Sequence, residues 1–92
     1  MYLISYDIEQ DKIRNKVAKE LENYGVRVQF SVFECDITKR QYAELYEKLL
    51  KLMEKETGGN IRFYSICKSC MEGLSVMGIK LSHDEREDVV VI

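Results

Sequence analysis

The folds open to this chain are limited most by the way its apolar period switches between two residues and about 3.6. Residues 2 to 7 alternate, with Tyr2, Ile4 and Tyr6 on one face and Leu3, Ser5 and Asp7 on the other. Their β-branched and aromatic content suits a strand that ends near Ile8. From Asp11 the period lengthens. Ile13, Val17, Leu21 and Tyr24 fall at i, i+4, i+8 and i+11, which is one apolar stripe of an amphipathic helix. Gly25 follows where a helix-ending C′ glycine belongs.

The period then returns to two. Val26, Val28 and Phe30 alternate with Arg27, Gln29 and Ser31, and Val32 to Ile37 continues as strand. A hairpin boundary falls near residues 30–32, with neither Gly nor Pro to mark it. Thr38 and Gln41 have capping-box spacing, and Tyr42, Leu45, Leu49 and Leu52 form the stripe of a second helix. Thr57-Gly58-Gly59-Asn60 ends that helix, and Ile61 to Cys67 is a further strand. The order βαββαβ is the ferredoxin-like α+β arrangement, in which two helices cover one face of a four-stranded antiparallel sheet. Gly73 and Gly78 break any single period over residues 68–82. Beyond them, Asp84-Glu85-Arg86-Glu87-Asp88 leads into Val89-Val90-Val91-Ile92, a candidate strand that must find an edge to pair with.

With 92 residues and no internal repeat or linker, the chain reads as one domain over residues 1–92. A domain this small gains from any further burial that dimerisation offers. No stretch approaches the ~20 apolar residues of a membrane span. The start, Met-Tyr-Leu-Ile-Ser-Tyr-Asp, lacks the features of a signal peptide and reads directly as strand, so a cytoplasmic location is expected. Three cysteines, an odd number with one close pair, make no disulfide framework. A net charge of −2 means that any nucleic-acid site has to be local.

Asp7 is the first candidate for chemistry. A carboxylate at a strand end between Tyr6 and Ile8 either caps the next helix, is solvated in the loop, or binds a cation. Mg²⁺ takes one or two carboxylates plus waters and phosphate oxygens, and a second Asp7 across a two-fold axis would supply what one chain lacks. Arg14, Lys16 and Arg27 are the basic candidates near that strand end. Lys12, Lys16 and Lys19 share a helix face of the kind that is usually solvated surface. Arg27 can grip a phosphate bidentately, or pair with Glu22 or Glu34.

Cys67-x-x-Cys70, with Cys35 and His83, falls short of a structural zinc site, which wants four ligands commonly in two close pairs. A thioredoxin-type pair precedes a helix near the amino end of its fold, whereas this one follows the last core strand. Two small, semi-buried residues at a chain bend is the reading the position favours, and His83 reads as an exposed loop residue. No P-loop, dinucleotide fingerprint or Gly-x-Ser-x-Gly elbow is present. Phe30 and Phe33 are only a faint echo of the RNA-recognition strand.

Taken together, Tyr6-Asp7-Ile8, Arg14-Asn15-Lys16-Val17, and the long block from Gly25 to Glu34 resemble the CRISPR-associated endonuclease family known as the second Cas protein. The segment from Asp84 to Ile92 is similar to that family's terminal strand. The resemblance implies a ferredoxin-like homodimer in which residues 84–92 cross to extend the partner's sheet. It also implies Mg²⁺- or Mn²⁺-dependent phosphodiester hydrolysis of RNA or double-stranded DNA, alongside the CRISPR integrase in the spacer-acquisition stage of antiviral defence. Asp7 would then hold the metal as the catalytic residue, and Arg14, Lys16 and Arg27 would contact phosphates. Tyr6, Ser31 and Phe33 would shape the site. Lys16 departs from members that place arginine there, and a lysine lacks the bidentate grip. A non-catalytic scaffold bridging integrase dimers and protospacer DNA is the alternative, with a toxin-like mRNA-cleaving protein a third.

Overall fold

Strand β1 (Tyr2–Asp7) sits inside the sheet, and its alternation decides which way everything else faces. In the computed structural model, which describes residues 1–55, 58–75 and 77, it is followed by α1 (Asp11–Glu22), β2 (Val26–Gln29), β3 (Val32–Cys35), α2 (Lys39–Met53), β4 (Asn60–Ser65) and a short α3 (Lys68–Glu72). The strands lie in the order β2-β3-β1-β4, every neighbouring pair antiparallel, which is the ferredoxin-like topology. The C-terminal strand expected over residues 84–92, and His83, lie outside the described residues.

Ile4 and Tyr6 of β1, with Phe33 and Cys35 of β3, point into the core. The stripes of the two helices close over them, Ile13, Val17, Ala18 and Leu21 from α1 and Leu45 and Leu49 from α2. Fully burying one such aliphatic or aromatic side chain stabilises the fold by about 1.5–3 kcal/mol. Tyr42 seats α2 on the sheet by stacking on Tyr2, with ring centroids 4.1 Å apart, and by meeting Phe63 edge-on at 5.8 Å. The expected capping box is present. The Gln41 N–H donates to Thr38 Oγ1 at 3.1 Å and the Thr38 N–H to Gln41 Oε1 at 2.9 Å.

The β2–β3 hairpin turns at Phe30-Ser31, inside the boundary expected near residues 30–32, and a bulge between Arg27 and Gln29, which the sequence reading did not foresee, breaks the alternation of β2. Val28 and Gln29 consequently line the same side of the sheet. The last strand stops at Ser65 because Cys67 becomes the N-cap of α3, a helix too short to display a period. Gly25 is not a left-handed C′ residue. The helix ends at Asn23, and the amides of Tyr24 and Gly25 both donate to the Leu21 carbonyl, at 2.9 and 3.0 Å. What Gly25 provides is proximity, since a Cβ there would stand 2.3 Å from the Glu34 carbonyl oxygen and 2.5 Å from Cys35 Sγ.

The opposite face of the sheet carries no helix of the α1–α2 layer. Leu3, Ser5 and Asp7 of β1, Val32 and Glu34 of β3, and Asn60, Arg62 and Tyr64 of β4 share it by register. Its centre holds a cavity of about 210 Å³ walled by Leu3, Val28, Val32, Tyr64, Met71 and Leu74. Gly25→Ala is expected to destabilise the fold by about 1–3 kcal/mol, the usual range for forcing extra atoms into a packed site. Gly58→Ala is the control, as a Cβ at Gly58 meets nothing within 4 Å. Parallel thermal melts check this, and equal midpoints for the two variants would refute the close-approach account of Gly25.

Candidate functional site

Asp7 is the last residue of β1 and is exposed. Two steps of alternation from Leu3 put its carboxylate on the open face, while Tyr6 before it and Ile8 after it are buried. The carboxylate is therefore held at the rim of the sheet by two apolar anchors. Asn60 lies directly opposite across the β1–β4 pairing, and Arg62 lies opposite Ser5, so both share the face of Asp7.

Around that rim the chain is tied down by polar contacts from three segments. The Tyr6 N–H donates to the Ser31 carbonyl at 3.1 Å, and the Tyr6 hydroxyl reaches the Phe30 carbonyl at 3.4 Å. These bonds fix the β2–β3 turn beside the end of β1. Phe30 stands 77% exposed at its tip, the most solvent-facing aromatic ring of the described chain. On the other side, Arg14 donates to the carbonyls of Ile8 at 3.1 Å and Glu9 at 3.2 Å and forms an ion pair with Asp11. Its guanidinium thus clamps the loop that carries the chain from Asp7 into α1.

Of the residues expected at the site, Tyr6, Asp7, Arg14 and Ser31 are brought to this one end of the sheet. Tyr6 acts from the core side and Ser31 through its carbonyl. Phe33 is fully buried in the core, 6.4 Å from the Tyr6 ring, and supports the site only from beneath. Arg27 pairs in register with Phe33 and holds its guanidinium 5.2 Å from the Phe33 ring, on the helix side of the sheet and away from the face of Asp7. Lys16 lies along a shallow groove with Lys19, Glu20, Asn23 and Leu52, on the helical layer. Asn60 and Arg62 are what the sequence reading missed, and Phe30, which it gave little weight, stands exposed beside them at this end of the sheet. The alternation of β4 already placed Arg62 and Tyr64 together, but only the β1–β4 register shows that this is the face of Asp7.

No group of three or more His, Cys, Asp or Glu side chains able to hold a metal ion exists among the described residues. One chain supplies Asp7 as a single carboxylate, with the neutral amide of Asn60 opposite. Cys35 is a core thiol, pushed up to about 11 by burial, and takes no part. No helix among the described residues is long and apolar enough to cross a membrane.

The family described as CRISPR associated protein Cas2 matches residues 1–73. A protein of Chloroflexus aurantiacus named CRISPR-associated endoribonuclease Cas2 1 is 44% identical over 91 residues, covering 99% of this chain and 98% of that protein. The crystal structure of Streptococcus pyogenes Cas2 superimposes with a TM-score of 0.70 at 32% identity, covering 84% of this chain and 98% of that one. A chain of a partial Cas6-RT-Cas1–Cas2 complex superimposes with a TM-score of 0.72 at 32% identity, covering 98% and 97%. A family match over the whole βαββαβ unit, and relatives alike along nearly their full length, make this chain a member of the Cas2 family.

Proposed function

We propose that this protein is a metal-dependent endonuclease that acts as a homodimer, with the Asp7 carboxylates of two copies facing one another across a two-fold axis. The observation that carries the reading is the position of Asp7, exposed at the rim of a sheet face whose centre is apolar and uncovered by the helical layer. Tyr64 and Leu74 on that face are 46% and 47% exposed. Apolar surface of this kind favours a partner, and a second copy seated face to face would cover it while doubling the carboxylate. Mg²⁺ or Mn²⁺ fits that donor set, since these hard ions are satisfied by one or two carboxylates with water and substrate phosphate oxygens. Bound there, such an ion would polarise a phosphate and acidify the attacking water.

This chain's own residues do the rest. Asp7 presents the charge, Arg14 holds the loop beside it, and Tyr6 keeps the Phe30 turn in place. Arg62 offers a guanidinium to phosphate from the same face, and Phe30 offers a ring on which an unpaired base can stack. The endoribonuclease names of the relatives support RNA as substrate, with double-stranded DNA the other candidate. Likeness to a chain of a Cas1–Cas2 assembly supports the CRISPR integrase as partner and spacer acquisition as the setting. The same likeness favours a second reading, a non-catalytic dimeric scaffold between integrase subunits.

Asp7→Asn keeps the shape and removes the charge. Cleavage in Mg²⁺ should fall on the order of a hundredfold or more, as several kcal/mol of transition-state stabilisation go with the metal. Without added metal the melting midpoint should be equal or slightly higher, because two facing carboxylates repel. Cleavage that persists in Asp7→Asn would sink the site assignment, and a native protein that binds the integrase without cutting either nucleic acid would favour the scaffold. For the phosphate contacts, Arg62→Ala should weaken nucleic-acid binding and lower its slope against log salt by about one unit. An unchanged slope would remove Arg62 from the interface. The same measurement on Arg27→Ala tells whether the footprint extends round the sheet edge.

A further inference from the structure

Beyond β4 the chain turns through Ile66, whose N–H donates to the Met1 carbonyl at 2.9 Å, and enters α3 with Cys67 as its N-cap. Cys67 and Cys70 are not the semi-buried residues expected of a bend. Both are exposed, and their Sγ atoms lie 3.0 Å apart in a thiol–thiol hydrogen bond. Cys67 Sγ is also 3.2 Å from Ser69 Oγ. The third thiol, Cys35, is completely buried and cannot meet a partner in solution. The same turn holds up one wall of the open sheet face. The Met71 N–H donates to the Cys67 carbonyl at 3.1 Å, the Gly73 N–H to the Cys70 carbonyl at 3.1 Å, and Met71 and Leu74 line the central cavity.

We propose that Cys67 and Cys70 are a reversible dithiol–disulfide site, oxidised by small-molecule disulfides, and that closing the bond locks the turn that seats Met71 and Leu74 on the open face. The exchange balances in two steps. Cys67, as thiolate, attacks one sulfur of the external disulfide, whose S–S bond breaks and whose other half leaves as a thiolate that takes up the proton Cys67 gave to solvent. Cys70 then loses its proton and attacks Cys67 Sγ, forming the Cys67–Cys70 bond and expelling the second half as a thiol. Two cysteines are oxidised and one external disulfide is reduced to two thiols.

The order of attack follows from the surroundings. Hydrogen bonding from Ser69 first, and from Cys70, lowers Cys67 to about 7, whereas the bond to Cys67 raises Cys70. A thiol whose pKa lies near ambient pH is the most effective attacker in such exchange. Exposed disulfides are the readily reduced ones, so the site responds to the thiol balance around it and does not staple the fold. Two donors are too few for a structural zinc site.

The test uses the full chain, reduced and then titrated with oxidised glutathione near neutral pH. Mass spectrometry should find the loss of two hydrogens per chain, two of the three thiols gone, and full reversal by dithiothreitol. In Cys70→Ser the reaction should stop at one glutathione on Cys67. Amide exchange at Met71 and Gly73 should slow by roughly tenfold in the oxidised chain, as local opening of the turn is suppressed. Alkylation of Cys67 should follow an ionisation near the value above, displaced upward in Ser69→Ala. Glutathione that stays on Cys67 of the native chain, or disulfides formed between chains, would overturn the dithiol site. Closure with unchanged exchange at Met71 and Gly73 would overturn its coupling to the open face.

Discussion

The register of β1 between β3 and β4 is the constraint on which both core and site depend. Ile4 lies opposite Phe33 on one side and Phe63 on the other, and these pairs put the large side chains of three strands under the helices together. Because side chains alternate strictly, the same register sends Leu3, Ser5 and Asp7 to the opposite face. A slip of one residue would bury Asp7 and expose Tyr6, at the cost of desolvating a carboxylate and losing apolar burial together. The position of the carboxylate is thus enforced by the burial of Ile4, Tyr6 and Ile8, whose relative exposures are 0%, 6% and 4%.

The edge strand β2 is held by a different device. α1 must deliver the chain to β2 in the space of Asn23, Tyr24 and Gly25, and β2 lies beside β3, not beside β1. That crossing brings the Gly25 backbone against Glu34 and Cys35 closely enough to exclude a side chain. Lys48 of α2 reaches back to the same junction, donating to the Tyr24 hydroxyl at 2.9 Å and pairing with Glu20 at 3.6 Å. Such exposed contacts add little free energy, so the steric fit at Gly25 carries most of the specificity of the crossover.

Most of this fold was legible because its signals are local. The alternation of residues 2–7, the stripes of α1 and α2 and the Thr38–Gln41 box each lie within one element, and each survives in the structure. What was not legible depends on pairing between distant segments. The bulge at Val28 carries no glycine or proline, and its position follows from the fit of β2 to β3, whereas the hairpin turn falls inside the boundary expected near residues 30–32. For Arg27 the sequence left a phosphate contact and an ion pair with Glu22 or Glu34 both open, and only its register with Phe33 shows that it lies on the helix side of the sheet. Arg62 drew no notice because its face is assigned only by pairing with Ser5. For Arg14 the sequence identified the right neighbourhood, and the structure adds that its donors hold loop carbonyls.

A net charge of −2 argues against a partner made of phosphates only at long range, and the field of distant charges is screened within about 8 Å at physiological ionic strength. Under the proposed function, what a nucleic acid would meet is therefore the local set at the rim, where Arg62 stands one alternation step from Asn60 and Asp7. A carboxylate alone there would repel phosphate. With the divalent ion of the proposed function it would attract phosphate, so one residue would exclude substrate until metal is present. In the proposed dimer the apolar centre of the open face and the acidic rim act together. Burial of Leu3, Val32 and Tyr64 against a second copy supplies the free energy that forces two like charges into proximity, and the ion relieves that repulsion. A domain of 92 residues buries only roughly two-thirds of its surface by itself. In such a domain, the face left uncovered by α1 and α2 is where further apolar burial is available and where a two-fold site can be assembled.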